Sequence, residues 1–253
     1  MNRNEFHLKF GTKKPVVLPV IHVLDREQTY RNIIIAIDGG CPGVFLINHD
    51  FEKEKLLPII KSIRNEFPDY WIGINFLAVT GEFAFPILGE LQSEGVYING
   101  YWADDACIDE RRTENDQIDA KRIDAIRKKS GWQGLYIGGT AFKKQREVDP
   151  SKYAYSGRLA SNHMDIVVTS GIATGHAADI DKIKIFRESC GETALGVASG
   201  ITSVNAEEYI DIVDLFMVAT GINFDNDFYN IDSSKLKNLM NTIQNQGKNY
   251  EYG

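Results

Sequence analysis

One pattern runs the length of the chain and constrains it more than any other feature. A short β-branched apolar run ends in small or polar residues, an amphipathic helical stretch follows, and the pattern begins again. Short runs of this kind alternating with helices predict βαβ units and a parallel sheet. The runs occupy residues 15–21, 43–47, 71–74, 96–102, 135–137, 165–168, 194–198 and 214–218. Between them, Asp25 is placed to cap a helix reaching Asp38, which Gly39-Gly40 stops. Leu56, Leu57, Ile60 and Ile63 share one helical face, and helices are expected near 80–95, 117–129, 179–189, 205–213 and 233–244. Residues 150–163 read as a loop with a short helix.

Eight such units in 253 residues match the count and size of a single (β/α)8 barrel, with residues 1–14 as an N-terminal extension and 245–253 as a frayed tail. A doubly wound open sheet is the competitor, but no GxGxxG follows the first run and no GxxxxGK[ST] occurs anywhere. The balance of 28 Lys plus Arg against 35 Asp plus Glu gives a formal net charge of −7. That argues against a nucleic-acid binder, whose affinity would come from cations on phosphates, and leaves room for a small anion held by backbone amides. The apolar runs are too short to span a bilayer, and the first residues lack the apolar stretch of a signal peptide. Three widely spaced cysteines, Cys41, Cys107 and Cys190, without a CxxC pair suit a reducing cytoplasm. Barrels often self-associate, so a homo-oligomer stays open.

In such barrels the site lies at the carboxyl ends of the strands. Read as a ring, those ends are asymmetric: the first four carry His22, Asn48-His49, Asn75 and Asp104-Asp105, and the last three carry Thr169-Ser170-Gly171, Ser199-Gly200 and Thr220-Gly221. The small residues suit an anion grip, because turns after the last strands aim N–H groups at a phosphate. Ser170, Gly171, Ser199, Gly200, Thr220 and Gly221 are the phosphate-binding candidates. The polar half is the chemical candidate, with Asp104 favoured over Asp105 to face the site, His49 as proton donor, and Asn48 and Asn75 positioning the ligand. His22, Thr140, Lys143, Thr169 and Arg158 are further ligand-contact candidates. His22, His49 and Asp104 are the one set that would hold a divalent ion. No HExxH or HxH spacing supports it, and no cofactor is expected.

The combination Leu18-Pro-Val-Ile-His22, Leu46-Ile-Asn-His49, Gly73-Ile-Asn-Phe-Leu77, the 169–175 loop, Ala198-Ser-Gly-Ile-Thr202 with Asn205, and Val218-Ala-Thr-Gly221 resembles the BtpA/SgcQ family of barrel enzymes, in order, from about residue 15 to residue 243. The resemblance implies a TIM barrel related to ribulose-phosphate-binding barrels, some of whose members carry phosphoribosyltransferase-like or nucleosidase-like labels. Two departures mark a divergent branch. Val23-Leu-Asp-Arg replaces a Pro-Gly-rich continuation of the first strand, and Asn48-His49 stands where typical members resemble Glu-Asn, so their acid at that place is missing here. The expected function is an enzyme on a phosphorylated sugar or nucleotide, cleaving or transferring a glycosidic C–N bond. A sugar-phosphate lyase or isomerase, and a non-catalytic ligand-sensing or assembly barrel, are the alternatives.

Overall fold

A computed structural model describes residues 1–143 and 145–245. Eight parallel strands close on themselves in sequence order, β1 pairing with both β2 and β8. They are β1 (Val16–Val23), β2 (Gly43–Asn48), β3 (Trp71–Asn75), β4 (Gly100–Ala103), β5 (Leu135–Gly139), β6 (Ile166–Thr169), β7 (Ala194–Val197) and β8 (Leu215–Val218). The helices are α1 (Arg3–Phe10), α2 (Arg26–Asp38), α3 (Lys53–Glu66), α4 (Gly81–Ser93), α5 (Ile118–Ser130), α6 (Tyr153–Ala160), α7 (Ile180–Ser189) and α8 (Ser233–Asn245). Asp25 caps α2 as its side chain accepts the Gln28 N–H at 2.7 Å. The expected frayed tail lies, beyond Asn245, outside the described residues.

Strand alternation sorts the side chains into two cores. Val16, Leu18, Val20, Phe45, Ile47, Trp102, Leu135, Ile137, Ile166, Val168, Leu215 and Met217 fill the barrel interior. Val17, Ile21, Val44, Leu46, Ile72, Ile74, Val167 and Leu195 face the helices instead. Bulk in the interior is balanced by glycine. A Cβ on Gly73 would lie 2.4 Å from the Phe45 ring, and one on Gly100 would lie 2.6 Å from Trp71. Two large aromatic rings fit because their neighbouring strands carry no side chain there.

Two expectations are corrected, and the N-terminal extension proves to carry structure of its own. Asn2 and Glu5 form a reciprocal cap, α1 follows, and Gly11 ends it in a left-handed turn. Phe6 joins the barrel-interior core and Phe10 packs on Trp71 at 5.7 Å, so α1 stoppers the amino end of the barrel. The fourth run is regular strand only from Gly100; at Asn99 the backbone still bonds the Ile72 carbonyl and the Leu135 N–H, while the side chain accepts from the Ile72 N–H and from Arg64. Residues 205–213 form a single 3-10 turn (Ala206–Glu208) and bends, not a helix, as Asn205 folds its side chain back on the Thr202 N–H and the Gly200 carbonyl.

Asp214 fastens the stopper. Fully buried at the start of β8, it accepts from Arg3 and His7 of α1 at 2.9 Å, from Arg187 of α7 at 3.1 Å, and from the Leu195 N–H at 2.9 Å. Cys41 and Cys190 are buried, and desolvation pushes both thiols up to about 12. Among the described residues no helix is long and apolar enough to cross a membrane.

Candidate functional site

The alternation that fills the interior also decides what caps it. Continuing the inward positions up each strand reaches His22 on β1, His49 after β2, Asp104 after β4, Gly200 after β7 and Gly221 after β8. All five line one pocket at the carboxyl end of the barrel. Its cavity volume is about 50 Å³, opening into solvent above, and it is floored by Val20, Ile47, Trp102 and Met217. Leu77, Lys143, Thr174 and Gly175 complete its wall.

The small-residue half is built from backbone. Gly200 has a φ of +59°, and a Cβ there would lie 2.2 Å from the Ala177 nitrogen; one on Gly221 would lie 1.8 Å from the Ile201 carbonyl oxygen. Only glycine lets these loops close on each other. The main-chain N–H groups of Gly200, Thr220 and Gly221 make no hydrogen bond among the described residues. Gly200 and Gly221 are half-buried and Thr220 is exposed, so these three lining donors are open to water or to a ligand. The Ser199 hydroxyl is engaged otherwise, placed at 2.9 and 2.6 Å from the Ala173 and His176 carbonyls, where it fixes the β6–α7 loop.

The polar half is built from side chains. Asp104 is 5% exposed, with the Asn75 amide 3.5 Å from its Oδ1. Asp105 turns the other way and accepts the Cys107 N–H at 2.7 Å. His22 stacks on Phe228, ring centroids 3.7 Å apart, and His49 stands edge-on to both at 5.0 and 5.1 Å. Burial, with His49 next, pushes the His22 pKa down to about 3, so its imidazole is neutral at pH 7. Lys143 reaches across from the β5 loop, its Nζ 3.3 Å from the Ala198 carbonyl. Ala78, Cys107 and Ala141, which follow β3, β4 and β5, all hold a positive φ. Backbone strain of this kind, on the order of 1–3 kcal/mol each, gathers at sites whose shape is over-determined.

Several sequence candidates sit beside the mouth and not in it. Asn48 bridges loops, donating to the Phe51 carbonyl at 2.8 Å and accepting the Leu77 N–H at 3.2 Å. Asn75 lies fully buried beside Asp104. Thr140 bonds Ser156 at 2.6 Å, and Thr169 donates to the Ala141 carbonyl at 3.2 Å. The Ser170 hydroxyl accepts the Lys143 N–H at 2.9 Å and donates to the Gly171 carbonyl at 2.8 Å. Gly171 backs onto the His176 carbonyl. Arg158 is exposed on α6 with its guanidinium 5.0 Å from the Tyr155 ring. Among the described residues no three His, Cys, Asp or Glu side chains converge to hold a metal ion, so His22, His49 and Asp104 do not form the triad their strand ends suggest.

Other residues carry more than the sequence reading gave them. Gln145 donates to the Asp104 and Gly139 carbonyls at 2.9 and 2.6 Å, tying β4 to β5 just below the mouth. Lys182 donates to the Ala141 and Ser170 carbonyls at 2.6 and 2.8 Å, and burial lowers its pKa to about 8. Neither lies on a strand end, so neither has a periodic signal. Gln145 reads as part of a solvated loop, and Lys182 as one more polar position on the helix expected over 179–189.

The geometry can be set beside known proteins. Residues 151–245 match the model of the BtpA family. The BtpA match takes in Gly200, Thr220 and Gly221 and leaves His22, His49 and Asp104 outside it, so it covers the amide half of the mouth. No curated protein matches the chain. In fold, the chain is similar to tryptophan synthase subunit alpha from Legionella pneumophila str. Paris, with 14% identity over 97% of this chain and 99% of that one and a TM-score of 0.67. It is also similar to a native KDPGal structure (10% identity, 94% and 98% covered, TM-score 0.63). Phosphoribosyl anthranilate isomerase from Thermus thermophilus is similar as well (11% identity, 91% and 99% covered, TM-score 0.58). All three are barrels of the same closed eight-stranded kind.

Proposed function

We propose that the mouth binds a small phosphorylated sugar or nucleotide and that the protein is an enzyme cleaving or transferring a glycosidic C–N bond. One observation carries the reading. The unpaired N–H groups of Gly200, Thr220 and Gly221 share a pocket with Asp104 and His49 on its opposite side. Amides at strand-end turns favour a phosphate without needing net positive charge. A carboxylate beside the sugar carbon stabilises oxocarbenium character as the C–N bond breaks, and an imidazole within reach protonates the leaving base. Asp104 takes the first role and His49 the second. One of the similar folds bears a phosphoribosyl compound in its name, which agrees with the ligand class.

The test is a thermal-shift series with ribose 5-phosphate, phosphoribosyl diphosphate and nucleoside monophosphates. A ligand at a hundred times its Kd adds about 2.7 kcal/mol, equivalent to roughly 5–11 °C in a chain of this size. Gly200→Ala should remove the shift, since its Cβ drives the β6–α7 loop off the amides. No shift with any of these compounds sinks the phosphate reading.

Lys143 favours one second reading, a sugar-phosphate lyase of Schiff-base type, because its Nζ stands in the pocket wall. In that reaction the amine adds to a substrate carbonyl and water leaves. Borohydride treatment in the presence of ribose 5-phosphate would then fix a stable adduct on the Lys143 peptide, lost in Lys143→Met. An unmodified peptide removes this reading.

A further inference from the structure

His22 is held by machinery from both ends of the chain. The segment after β8, residues 223–231, folds over it and is built by three buried amide side chains. Asn223 donates to the Phe228 carbonyl at 3.0 Å. Gln28 of α2 donates to the Tyr229 and His22 carbonyls at 2.6 and 3.1 Å. Asn32, one turn further along α2, donates to the Tyr229 carbonyl at 2.7 Å and accepts the Ile231 N–H at 3.1 Å. Each is 3% exposed or less, so each must find its partners inside the protein. The Tyr229 hydroxyl donates to Asp50 and closes the segment against the β2 loop.

The product of this scaffold is one contact. His22 Nδ1 lies 3.0 Å from the Phe228 carbonyl oxygen, and the Phe228 ring stacks on the imidazole within 20° of parallel. A carbonyl only accepts, so Nδ1 carries the hydrogen, and in the neutral ring Nε2 keeps its lone pair. Nε2 makes no hydrogen bond among the described residues, on a side chain that lines the mouth. His49, Lys143 and Asp50 are the charged or titratable groups that act on it.

We infer that the segment after β8 locks His22 as an Nδ1–H imidazole whose Nε2 accepts a hydrogen bond from a ligand hydroxyl. The inference rests on the phosphate reading above for its ligand. A fixed lone pair repels a phosphate oxygen and accepts a sugar hydroxyl, whereas the amides of Gly200, Thr220 and Gly221 do the reverse. His22 thereby sets which end of a phosphorylated sugar enters the polar half, and Gln28, Asn32 and Asn223 are its positioning residues.

Nitrogen-15 NMR of the histidine side chains tests the lock without any ligand. The resonance lost in His22→Phe should show a protonated Nδ1 and a bare Nε2 at neutral pH. Asn32→Ala should mix in the other tautomer. Tyr229→Phe, which removes only the tie to Asp50, is the milder variant and should move the ratio the same way. A protonated Nε2 in the unaltered protein overturns the inference. Titration with inorganic phosphate and ribose 5-phosphate then tests the ligand side. The sugar phosphate should bind about tenfold more tightly than phosphate alone, the scale of one hydrogen bond, and His22→Phe should erase that preference while leaving phosphate affinity intact. Equal weakening of both probes, or of neither, overturns the hydroxyl assignment. If the unaltered protein binds neither probe and still shows the Nδ1–H signature, the phosphate reading fails together with the hydroxyl assignment, and the tautomer lock stands.

Discussion

Asp104→Asn is expected to lower turnover of a nucleoside monophosphate by about a hundredfold or more, the scale of one acid–base or charge-stabilising group, while leaving the ligand-induced thermal shift in place. The amide copies the carboxylate's shape, so the packing against Asn75 at 3.5 Å survives and the negative charge does not. A change confined to kcat is what a group acting mainly in the transition state produces. Asp105→Asn is the control. Its carboxylate holds the Cys107 turn at 2.7 Å, outside the pocket lining, so its removal should disturb stability more than rate. If the rate loss follows Asp105 instead, the facing of the two residues is reversed and the proposed chemistry with it. If neither substitution affects the rate, a carboxylate at the end of β4 has no part in the reaction.

Asp214→Ala should be the most destabilising single substitution at the opposite end of the barrel. It strips Arg3, His7, Arg187 and the Leu195 N–H of one shared acceptor. Removing one partner from a buried charge cluster costs about 3–5 kcal/mol, because the groups left behind remain desolvated. In a domain of this size that corresponds to a fall in Tm of roughly 6–20 °C. The site at the far end of the barrel should retain ligand binding below the new Tm. An unchanged Tm would mean that α1 is held by Phe6 and Phe10 alone.

The barrel was legible because its strands are short, β-branched and separated by helices long enough to cross back over a parallel sheet. The positions of His22, His49 and Asp104 followed from the same alternation, since a period of two carries the inward face up from Val20, Ile47 and Trp102. The neighbouring polar residues were harder to sort. Asn48, Thr140, Thr169 and Ser170 look as much like ligand contacts as His49 does, and only the paths of the adjoining loops decide that their side chains bond other groups of the protein. The cradle around His22 had no local signal, because Phe228 and Tyr229 come from a non-periodic loop and Gln28 and Asn32 lie on a helix that reads as amphipathic. Helix α1 did leave a signal, with Asn2 and Glu5 spaced as a cap, Phe6 and Phe10 one turn apart and Gly11 at the end. The overestimated helix at 205–213 gave way to the turn that Asn205 makes with its own side chain.

The stopper helix also sets an order of assembly. Arg3 and His7 find their acceptor at Asp214, 211 and 207 residues later in the chain, and the Ala194 N–H donates to the Met1 carbonyl. On the ribosome α1 is therefore made long before its anchor and docks only after β8 has emerged. At 5–20 residues per second, about 10–40 s pass between synthesis of α1 and synthesis of the residue that anchors it. Until then the growing barrel has an open base, and Trp71 and Phe45 lie behind a doorway that shuts only once Asp214 is in place.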